Sequence, residues 1–305
     1  MPRVVIGSRG SNLALTQSNA VAAMLRAAAP DLDVDIEIIH TKGDKILDAP
    51  LSKIGDKGLF TRELEVALLE GRIDLAVHSL KDLPTELPEG LALGCVPERE
   101  DPRDVFVSAD YASLDALPHG ATIGTSSLRR RAQLLAYRPD LNIVDLRGNV
   151  ETRLRKALEK HIDGTVLARA GIVRIGRAEA IRCVIPENVM VPATAQGALG
   201  IEVRAGDARV LEIVSHIHHA RTSAEVTAER ACLRALEGGC QVPIGSLARV
   251  IGASLTLAAC VCSLDGADVL RTTVEGPADE AEALGASAAE TLRAMGAADI
   301  IAAIR

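Results

Sequence analysis

The chain has 305 residues, which favours about two domains at roughly 150 residues each, and 48% of them are hydrophobic against 25% charged. This balance is typical of a soluble globular protein and excludes disorder over most of the length. Two Phe, two Tyr and no Trp predict an aliphatic core, and this scarcity of aromatic residues argues against base stacking on single-stranded nucleic acid. The net charge of −7 argues against a general polyanion binder.

The first ninety residues alternate predicted strands and helices. Strands are predicted at 3–6, 34–39 and 73–77, and helices at 13–29 and 61–70. This alternation predicts a mainly parallel sheet covered by helices. Three prolines then interrupt the chain, and Asp101-Pro102 is predicted to mark the crossing into another unit.

The following residues repeat the pattern before it changes. Strands are predicted at 121–123, 142–144 and 165–167, and helices at 128–137 and 150–159. From about residue 220 we predict an amphipathic helix at 224–236, a break at Gly238-Gly239, strands through about Val274 and one long closing helix. A helix-strands-helix order indicates a small α+β domain, so three units are favoured over two.

Compartment is predicted from the apolar segments and the cysteines. The apolar run after Arg3 is too short for a signal peptide, and the most apolar stretch, 250–262, is shorter than the roughly 20 residues that span a bilayer. The six cysteines show no C-x-x-C spacing and are predicted to be thiols. Cys260 and Cys262 alternate in a predicted strand and should pack on one face. The sequence therefore predicts a cytoplasmic protein that does not insert into a membrane.

Charge distinguishes the middle of the chain. Between Thr122 and Arg177, twelve basic and five acidic residues give +7, so the remainder carries −14. A solvated helix face is the favoured interpretation for Arg155, Lys156 and Lys160. It is weaker for three arginines that closely follow predicted strand ends, where open α/β sheets bind ligands: Arg129, Arg130 and Arg147.

Two loops share one physical design. Residues 7–11 and 124–130 each follow a strand and open a helix, which supplies backbone N–H groups, hydroxyls and the positive end of a helix dipole. Capping by Ser11 and by Ser126 or Ser127 explains the hydroxyls but not the arginines, which pair bidentately with carboxylate or phosphate. Neither loop has a nucleotide-binding signature, so a small carboxylated ligand between two domains is favoured.

In residues 73–84, a predicted strand is followed by titratable side chains. Lys81 and Asp82 follow the strand and Pro84 fixes the turn, an arrangement that can act on a bound ligand. A surface Lys–Asp pair in a turn is an equally good interpretation. His78 at the strand end is predicted to be a structural histidine.

Two glycine-containing segments complete the candidates. The basic loop at 51–60 can be a mobile lid or an exposed turn, and both interpretations fit its residues. Cys240 lies on a glycine-rich turn at 237–245. A lone cysteine is usually a buried inert thiol, but the flanking glycines leave its sulfur accessible and raise the odds of a covalent role.

Taken in order, these motifs resemble the porphobilinogen deaminase family from about Val4 to the C-terminal helix. The most specific marks are residues 78–84, 124–130, 146–149 and 237–245. The resemblance implies a transferase that joins four porphobilinogen molecules head to tail with loss of ammonia and then releases hydroxymethylbilane for tetrapyrrole and heme biosynthesis. It implies two periplasmic-binding-protein-like doubly wound α/β domains, which we place at 1–98 with 198–217 and at 102–194, and a smaller α+β domain at 219–305.

The resemblance also implies a cofactor and a set of site residues. The cofactor is a dipyrromethane linked through a thioether to Cys240, and the catalytic residues are Asp82, which stabilises positive charge as the substrate amine leaves, and Lys81 beside it. Cofactor-binding positions besides these three are Ser127, Arg129, Arg130, Arg147 and Gly171. Substrate-binding positions are Arg9, Ser11, Ser79, Arg147, Arg153 and Arg174, and lid positions are Lys53, Lys57 and Phe60. The implied partner is porphobilinogen, with no metal, no nucleic acid and a monomeric state.

Three residues depart from the family pattern. Ala195 stands where glycine is usual and restricts the backbone if its φ is positive. Asn12 replaces a proline that commonly opens the first helix and is predicted to be a good cap. Arg169 could add a charge to the cleft or point to solvent.

Two other functions compete with this interpretation. A periplasmic anion-binding protein would share the two-domain cleft, but it predicts a signal peptide and gives no role to Cys240. A pyridoxal-phosphate enzyme with a Schiff base on Lys81 predicts a dedicated phosphate cup. Both are less favoured than the deaminase.

Overall fold

A computed structural model describes residues 3–41, 61–236 and 242–304. The chain divides into two compact units, one formed by residues 1–99 with 198–223 and the other by residues 100–197 with 224–305. The central and C-terminal segments share the second unit, and the three-domain division stays a prediction. Among the described residues, no helix is both long and apolar enough to cross a membrane.

The secondary structure of the described residues follows in chain order. The strands are β1 Arg3–Ser8, β2 Asp33–Ile38, β3 Leu75–Ser79, β4 Leu91–Cys95, β5 Asp104–Val107, β6 Thr122–Gly124, β7 Asn142–Val144, β8 Gly164–Ala168, β9 Cys183–Val184, β10 Leu199–Arg204, β11 Ile244–Ile251, β12 Ser254–Cys262 and β13 Val269–Pro277. The helices are α1 Asn12–Ala28, α2 Arg62–Leu69, α3 Leu128–Tyr137, α4 Val150–Leu158, α5 Arg169–Arg174, α6 Ala208–Ser215, α7 Ala220–Ala235, α8 Ala281–Ala294 and α9 Ala297–Ala302. Short 3₁₀ turns occupy Leu80–Asp82, Ala178–Ala180 and Ala278–Glu280.

The N-terminal unit is a five-stranded sheet in the order β2-β1-β3-β10-β4. Successive strand residues point to opposite faces, so Leu75 and Val77 pack with α1 and α6 while Ala76 packs with α2 on the other face. Helices therefore cover both faces of the sheet. The predicted doubly wound α/β class is confirmed for this unit.

The central sheet has the order β7-β6-β8-β5-β9 and is also covered on both faces, by α3 on one and by α4 and α5 on the other. Each of the two sheets contains two parallel pairings and two antiparallel ones. The prediction of a mainly parallel sheet is therefore wrong. The strand that pairs antiparallel with both of its neighbours is β10 in the N-terminal sheet and β5 in the central sheet. Each of them closely follows one of the three points at which the chain passes from one unit to the other.

The C-terminal segment is the predicted small α+β arrangement. Strands β11, β12 and β13 form an antiparallel sheet that packs against α7 and α8 through aliphatic side chains. The prediction of one long closing helix is wrong, because Gly296 takes a φ of 101° between α8 and α9. This left-handed conformation ends α8 and is one that glycine adopts without strain.

The described cysteines are free thiols, as predicted. Cys260 and Cys262 are fully buried on one face of β12, where they pack with Ala132, Val191 and Leu247. Their packing role is confirmed.

Candidate active site

In the N-terminal unit, two loops meet at one edge of the sheet. Strands β1 and β3 are parallel neighbours, so their carboxyl ends lie on the same side, where open α/β sheets bind ligands. Arg9 and Ser11 follow β1, Ser79 is the last residue of β3, and Lys81 and Asp82 follow it. The structure thus brings these five predicted site residues to one sheet edge.

The start of α1 is fixed by a side-chain cap. The Ser11 hydroxyl accepts a hydrogen bond of 3.4 Å from the backbone N–H of Ala14. Ser11 is therefore the N-cap and Asn12 is the first helical residue, so the capping role predicted for Asn12 is wrong. A Ser at this position satisfies an otherwise unpaired donor of the first turn.

At the end of β3, Ser79 and Leu80 are held in place by the protein, whereas Asp82 faces solvent. The Ser79 hydroxyl accepts a hydrogen bond of 2.8 Å from Gln17, a buried residue of α1. Leu80 is fully buried and anchors the 3₁₀ turn, whereas Asp82 at the end of that turn is exposed. The carboxylate of Asp82 is thus presented to solvent from an anchored turn.

Behind this edge lies a buried pair of titratable groups. Nε2 of His78 is 3.0 Å from Oε2 of Glu202, and both side chains are almost completely excluded from solvent. Burial of nearby Glu65 raises the pKa of its carboxyl group. The prediction that His78 is a satisfied structural histidine is confirmed.

In the central sheet, three further loops follow parallel neighbours. Strands β7 and β8 both pair in parallel with β6, so the residues after all three strands share one edge. The Ser126 hydroxyl donates to the carbonyl of Leu146 at 3.1 Å, which ties two of the loops together. Ser127 caps α3 by accepting from the N–H of Arg130 at 3.4 Å, so the capping interpretation holds for Ser127 as it does for Ser11.

Arg129 and Arg130, in the first turn of α3, share a single carboxylate. Oδ2 of Asp104 accepts from Nη1 of Arg129 at 2.8 Å, and Oδ1 accepts from Nε and Nη2 of Arg130 at 3.0 and 2.8 Å. Asp104 is completely buried and each arginine is only 5% exposed. A solvated helix face is therefore excluded for both arginines.

The pKa shifts in this cluster have two causes, burial and the charges of neighbouring groups. Burial alone raises the pKa of Asp104, but the charges of Arg129 and Arg130, with hydrogen bonds from Arg129 and Gln196, hold it well below its usual range. Burial lowers the pKa of Arg130. Two guanidinium groups against one carboxylate leave one positive charge in excess, which suits a ligand that carries carboxylates.

Sequence reasoning missed Asp104 and Gln196. Gln196 donates to Oδ1 of Asp104 at 3.1 Å and to the carbonyl of Pro102 at 2.7 Å. A signal for Asp104 was present, because an acidic residue directly precedes the apolar run Val105-Phe106-Val107. An ionised side chain at the start of a buried strand requires a partner.

Two other arginines near the central sheet bind protein groups. Nη2 of Arg174 donates to the carbonyl of Gly197 at 2.7 Å, and burial lowers the pKa of its guanidinium. Arg169 pairs with Glu100 at 2.7 Å and lies 3.6 Å from Asp101, so neighbouring carboxylates compensate its charge.

The remaining predicted positions differ in environment. Arg147, Arg153 and Gly171 are half-buried. Arg155 and Lys160 are exposed and pair with Glu159 and Asp110, which confirms the solvated-face interpretation for these two. The lid positions Lys53, Lys57 and Phe60 and the cysteine Cys240 lie outside the described residues.

Ala195 adopts the left-handed conformation with a φ of 57°. Its N–H donates to Oε2 of Glu229 at 2.6 Å. The concern about a restricted backbone at this departure from the family is therefore justified.

These features define a class: an α/β protein in which two mixed sheets present hydroxyls and basic side chains at their carboxyl strand ends. Residues 4–212 match the family described as porphobilinogen deaminase, dipyromethane cofactor binding domain, and residues 223–294 match its C-terminal domain. The chain belongs to the porphobilinogen deaminase family. This family consists of transferases that condense porphobilinogen in tetrapyrrole synthesis, and the chain has that activity and the family's dipyrromethane cofactor domain.

Individual relatives agree with this assignment. The porphobilinogen deaminase of Desulforudis audaxviator is 56% identical over 99% of this chain and 98% of its own length. That of Syntrophotalea carbinolica is 54% identical over 98% of this chain and 95% of its own. Among solved structures, the BvgS VFT2 domain of Bordetella pertussis aligns with a TM-score of 0.42 at 16% identity, covering 71% of this chain and 86% of that domain.

Proposed function

We propose that this chain builds hydroxymethylbilane from four porphobilinogen molecules on a dipyrromethane that is bound through a thioether to Cys240. When bound, the dipyrromethane supplies the pyrrole carbon to which each new unit is joined. The arginines and hydroxyls at the carboxyl strand ends of the two sheets hold the acetate and propionate groups of the pyrroles. The assignment of these residues rests on the family motifs and on the chemistry of the groups at the two sheet edges.

The excess positive charge around Asp104 carries the proposal. Two buried guanidinium groups share one carboxylate, and an uncompensated buried charge costs several kcal/mol. A carboxylate of the cofactor compensates that charge through bidentate hydrogen bonds, the geometry for which a guanidinium is suited. A neutral ligand would leave that charge uncompensated.

Asp82 is the proposed catalytic residue, with Lys81 beside it. Loss of ammonia from the aminomethyl group of porphobilinogen leaves positive charge on the substrate, shared with its pyrrole nitrogen. A carboxylate held at that point stabilises the charge as it develops, without solvent reorganisation. The anchored turn Leu80–Asp82 supports this role, because the carboxylate is presented to solvent while its backbone is fixed.

The other positions keep the roles that the family motifs imply. Ser127, Arg129, Arg130, Arg147 and Gly171 bind the cofactor. Arg9, Ser11, Ser79, Arg147, Arg153 and Arg174 bind incoming substrate, and Lys53, Lys57 and Phe60 form a lid. These assignments are separately testable, because loss of a cofactor contact prevents loading whereas loss of a substrate contact raises KM.

Intact mass spectrometry of the purified protein tests the proposal. We expect an adduct equal to two porphobilinogen units less two molecules of ammonia on the wild type and none on Cys240→Ala. Cys183→Ala is the matched control, since it removes a half-buried thiol of the central sheet and should retain the adduct. An unmodified, inactive wild type that accepts no primer would refute the assignment.

We further infer a cytoplasmic monomer that does not bind nucleic acid. The free thiols among the described cysteines are typical of proteins from reducing compartments. The net charge of −7 and the near absence of aromatic residues disfavour a nucleic-acid surface.

A further inference from the structure

We propose that Asp104 is a positioning residue for cofactor binding: it fixes Arg129 and Arg130 as a preformed pair and compensates one of their two charges before the cofactor is attached. The inference rests on the proposed function, in which these arginines hold cofactor carboxylates. Asp104 lies outside the family motifs at 78–84, 124–130, 146–149 and 237–245. Its role follows from geometry and charge alone.

The geometry is that of a shared counter-ion. One carboxylate oxygen serves Arg129 and the other serves Arg130, at distances of 2.8 to 3.0 Å. Gln196 holds the same Oδ1 atom at 3.1 Å and is itself held by the carbonyl of Pro102. The carboxylate is thereby fixed in position, and it fixes both guanidinium planes.

Donors remain on both arginines for a ligand. A guanidinium has five N–H donors. Toward atoms of the described residues, Arg129 donates through Nη1, to Asp104 and to the carbonyl of Val191, and Arg130 donates through Nε and Nη2. Asp104 thus orients each guanidinium without using all of its donors.

The fold itself does not require a carboxylate at this place. Asp104 pairs with Ala168, the last residue of β8, across an antiparallel ladder. In the N-terminal sheet the corresponding ladder pairs Leu199 with Ser79, the last residue of β3. The same sheet position therefore holds a leucine where no buried arginines need a counter-ion.

Cofactor binding should change how strongly the stability of the protein depends on Asp104, whereas a merely structural role would not show that change. Without cofactor, Asp104 is the shared counter-charge of Arg129 and Arg130. With cofactor bound, ligand carboxylates supply a second one. Removing the charge of Asp104 should therefore harm the cofactor-free protein more than the loaded protein.

The test compares Asp104→Asn in the holoenzyme and in the cofactor-free Cys240→Ala background by thermal unfolding. We expect the melting temperature of the cofactor-free form to fall at least about twice as far as that of the loaded form. Asp163→Asn is the control, because the Asp163 carboxylate accepts a 2.7 Å hydrogen bond from the backbone N–H of Thr122, and it should lower both values equally. Equal losses for Asp104→Asn would overturn the proposal.

A second variant covers the case in which Asp104→Asn does not fold. Asp104→Asn combined with Arg130→Gln restores the wild-type excess of one positive charge, so the cofactor-free double variant should recover much of the lost melting temperature. A double variant no more stable than the single one would overturn the proposal. An Asp104→Asn protein that folds but carries no adduct, while Asp163→Asn loads normally, would support it.

Intact masses keep this test separate from the proposed function. An adduct that persists on Cys240→Ala refutes the attachment site whatever the melting temperatures are. A normal adduct on the wild type, lost on Cys240→Ala, together with equal losses for Asp104→Asn refutes only the role of Asp104.

Discussion

The two five-stranded sheets share one arrangement but differ in what they place at their carboxyl edges. In both, two parallel pairings are followed by two antiparallel ones. The N-terminal sheet ends in an exposed carboxylate, Asp82, on an anchored turn. The central sheet ends in two arginines that are buried against Asp104.

This difference fits the two tasks, chemistry and binding, that we propose for the edges of the two sheets. Binding a polycarboxylate benefits from cations that are already oriented and partly desolvated, because no side-chain entropy is then lost on binding. Stabilising a charge that appears and disappears during a reaction requires a carboxylate that substrate can reach. Similar sheets can therefore serve binding and chemistry when their edge residues differ in burial.

The largest effect is expected at Asp82, the exposed carboxylate at the edge of the N-terminal sheet. Asp82→Asn removes the anion that we propose stabilises the developing positive charge, so turnover should fall by about 100-fold or more. Since Asp82 is exposed, the melting temperature should stay within about 2 °C of the wild type. Steady-state kinetics, intact mass and thermal unfolding of one preparation check the three expectations, with the adduct retained.

The control for Asp82 is Glu86→Gln, which neutralises another exposed carboxylate four residues along the chain. It should leave kcat and KM unchanged. Near wild-type turnover in Asp82→Asn would show that the N-terminal edge does not supply the reactive carboxylate.

An effect of intermediate size is expected from the outer strands of the two sheets, β4 and β9, because they bury their cysteines to different extents. Cys95 on β4 is 1% exposed, and burial raises its pKa to about 12, whereas Cys183 on β9 is only half-buried. The unfolded state releases the thiol proton near pH 8.5 but the folded state holds it. The contribution of Cys95 to stability is therefore complete below that pH and is lost as pH rises toward 12, by about 1.4 kcal/mol for each pH unit.

Urea unfolding at pH 8, 9 and 10 measures this loss. Cys95→Ala should remove more of the alkaline decline in unfolding free energy than Cys183→Ala does. Equal effects of the two variants would mean that the outer strands are buried alike.

The smallest effect concerns the segment through which the chain leaves the central sheet. Ala195 has a φ of 57°, a conformation that costs an alanine about 1–2 kcal/mol, while a glycine loses about 0.5–1 kcal/mol more entropy on folding. Ala195→Gly should therefore stabilise the protein by about 0.5 kcal/mol. Chemical denaturation with Ala193→Gly as control checks the sign, and a destabilised Ala195→Gly would contradict the strain.

Local patterns predicted the parallel half of each sheet well, but not the other half. The helix at Leu128–Tyr137 and the strand at Asn142–Val144 have the predicted bounds. Strands β5 and β10 were missed, because each follows an irregular segment rather than a helix and so does not continue the strand–helix alternation. Helix-linked alternation predicts parallel pairing, so it gave no signal for these two strands, which pair antiparallel with their neighbours.

The candidate site divides in the same way. The sequence by itself determined the family, the aliphatic core and the concentration of arginines between 122 and 177, because motifs and charge are properties of the chain. The tertiary structure decided which arginines are buried and that Asp104, 25 residues before Arg129, is their counter-ion. A buried charge is stabilised by whichever group the fold brings within about 3 Å, and that distance is set by strand pairing rather than by sequence neighbours.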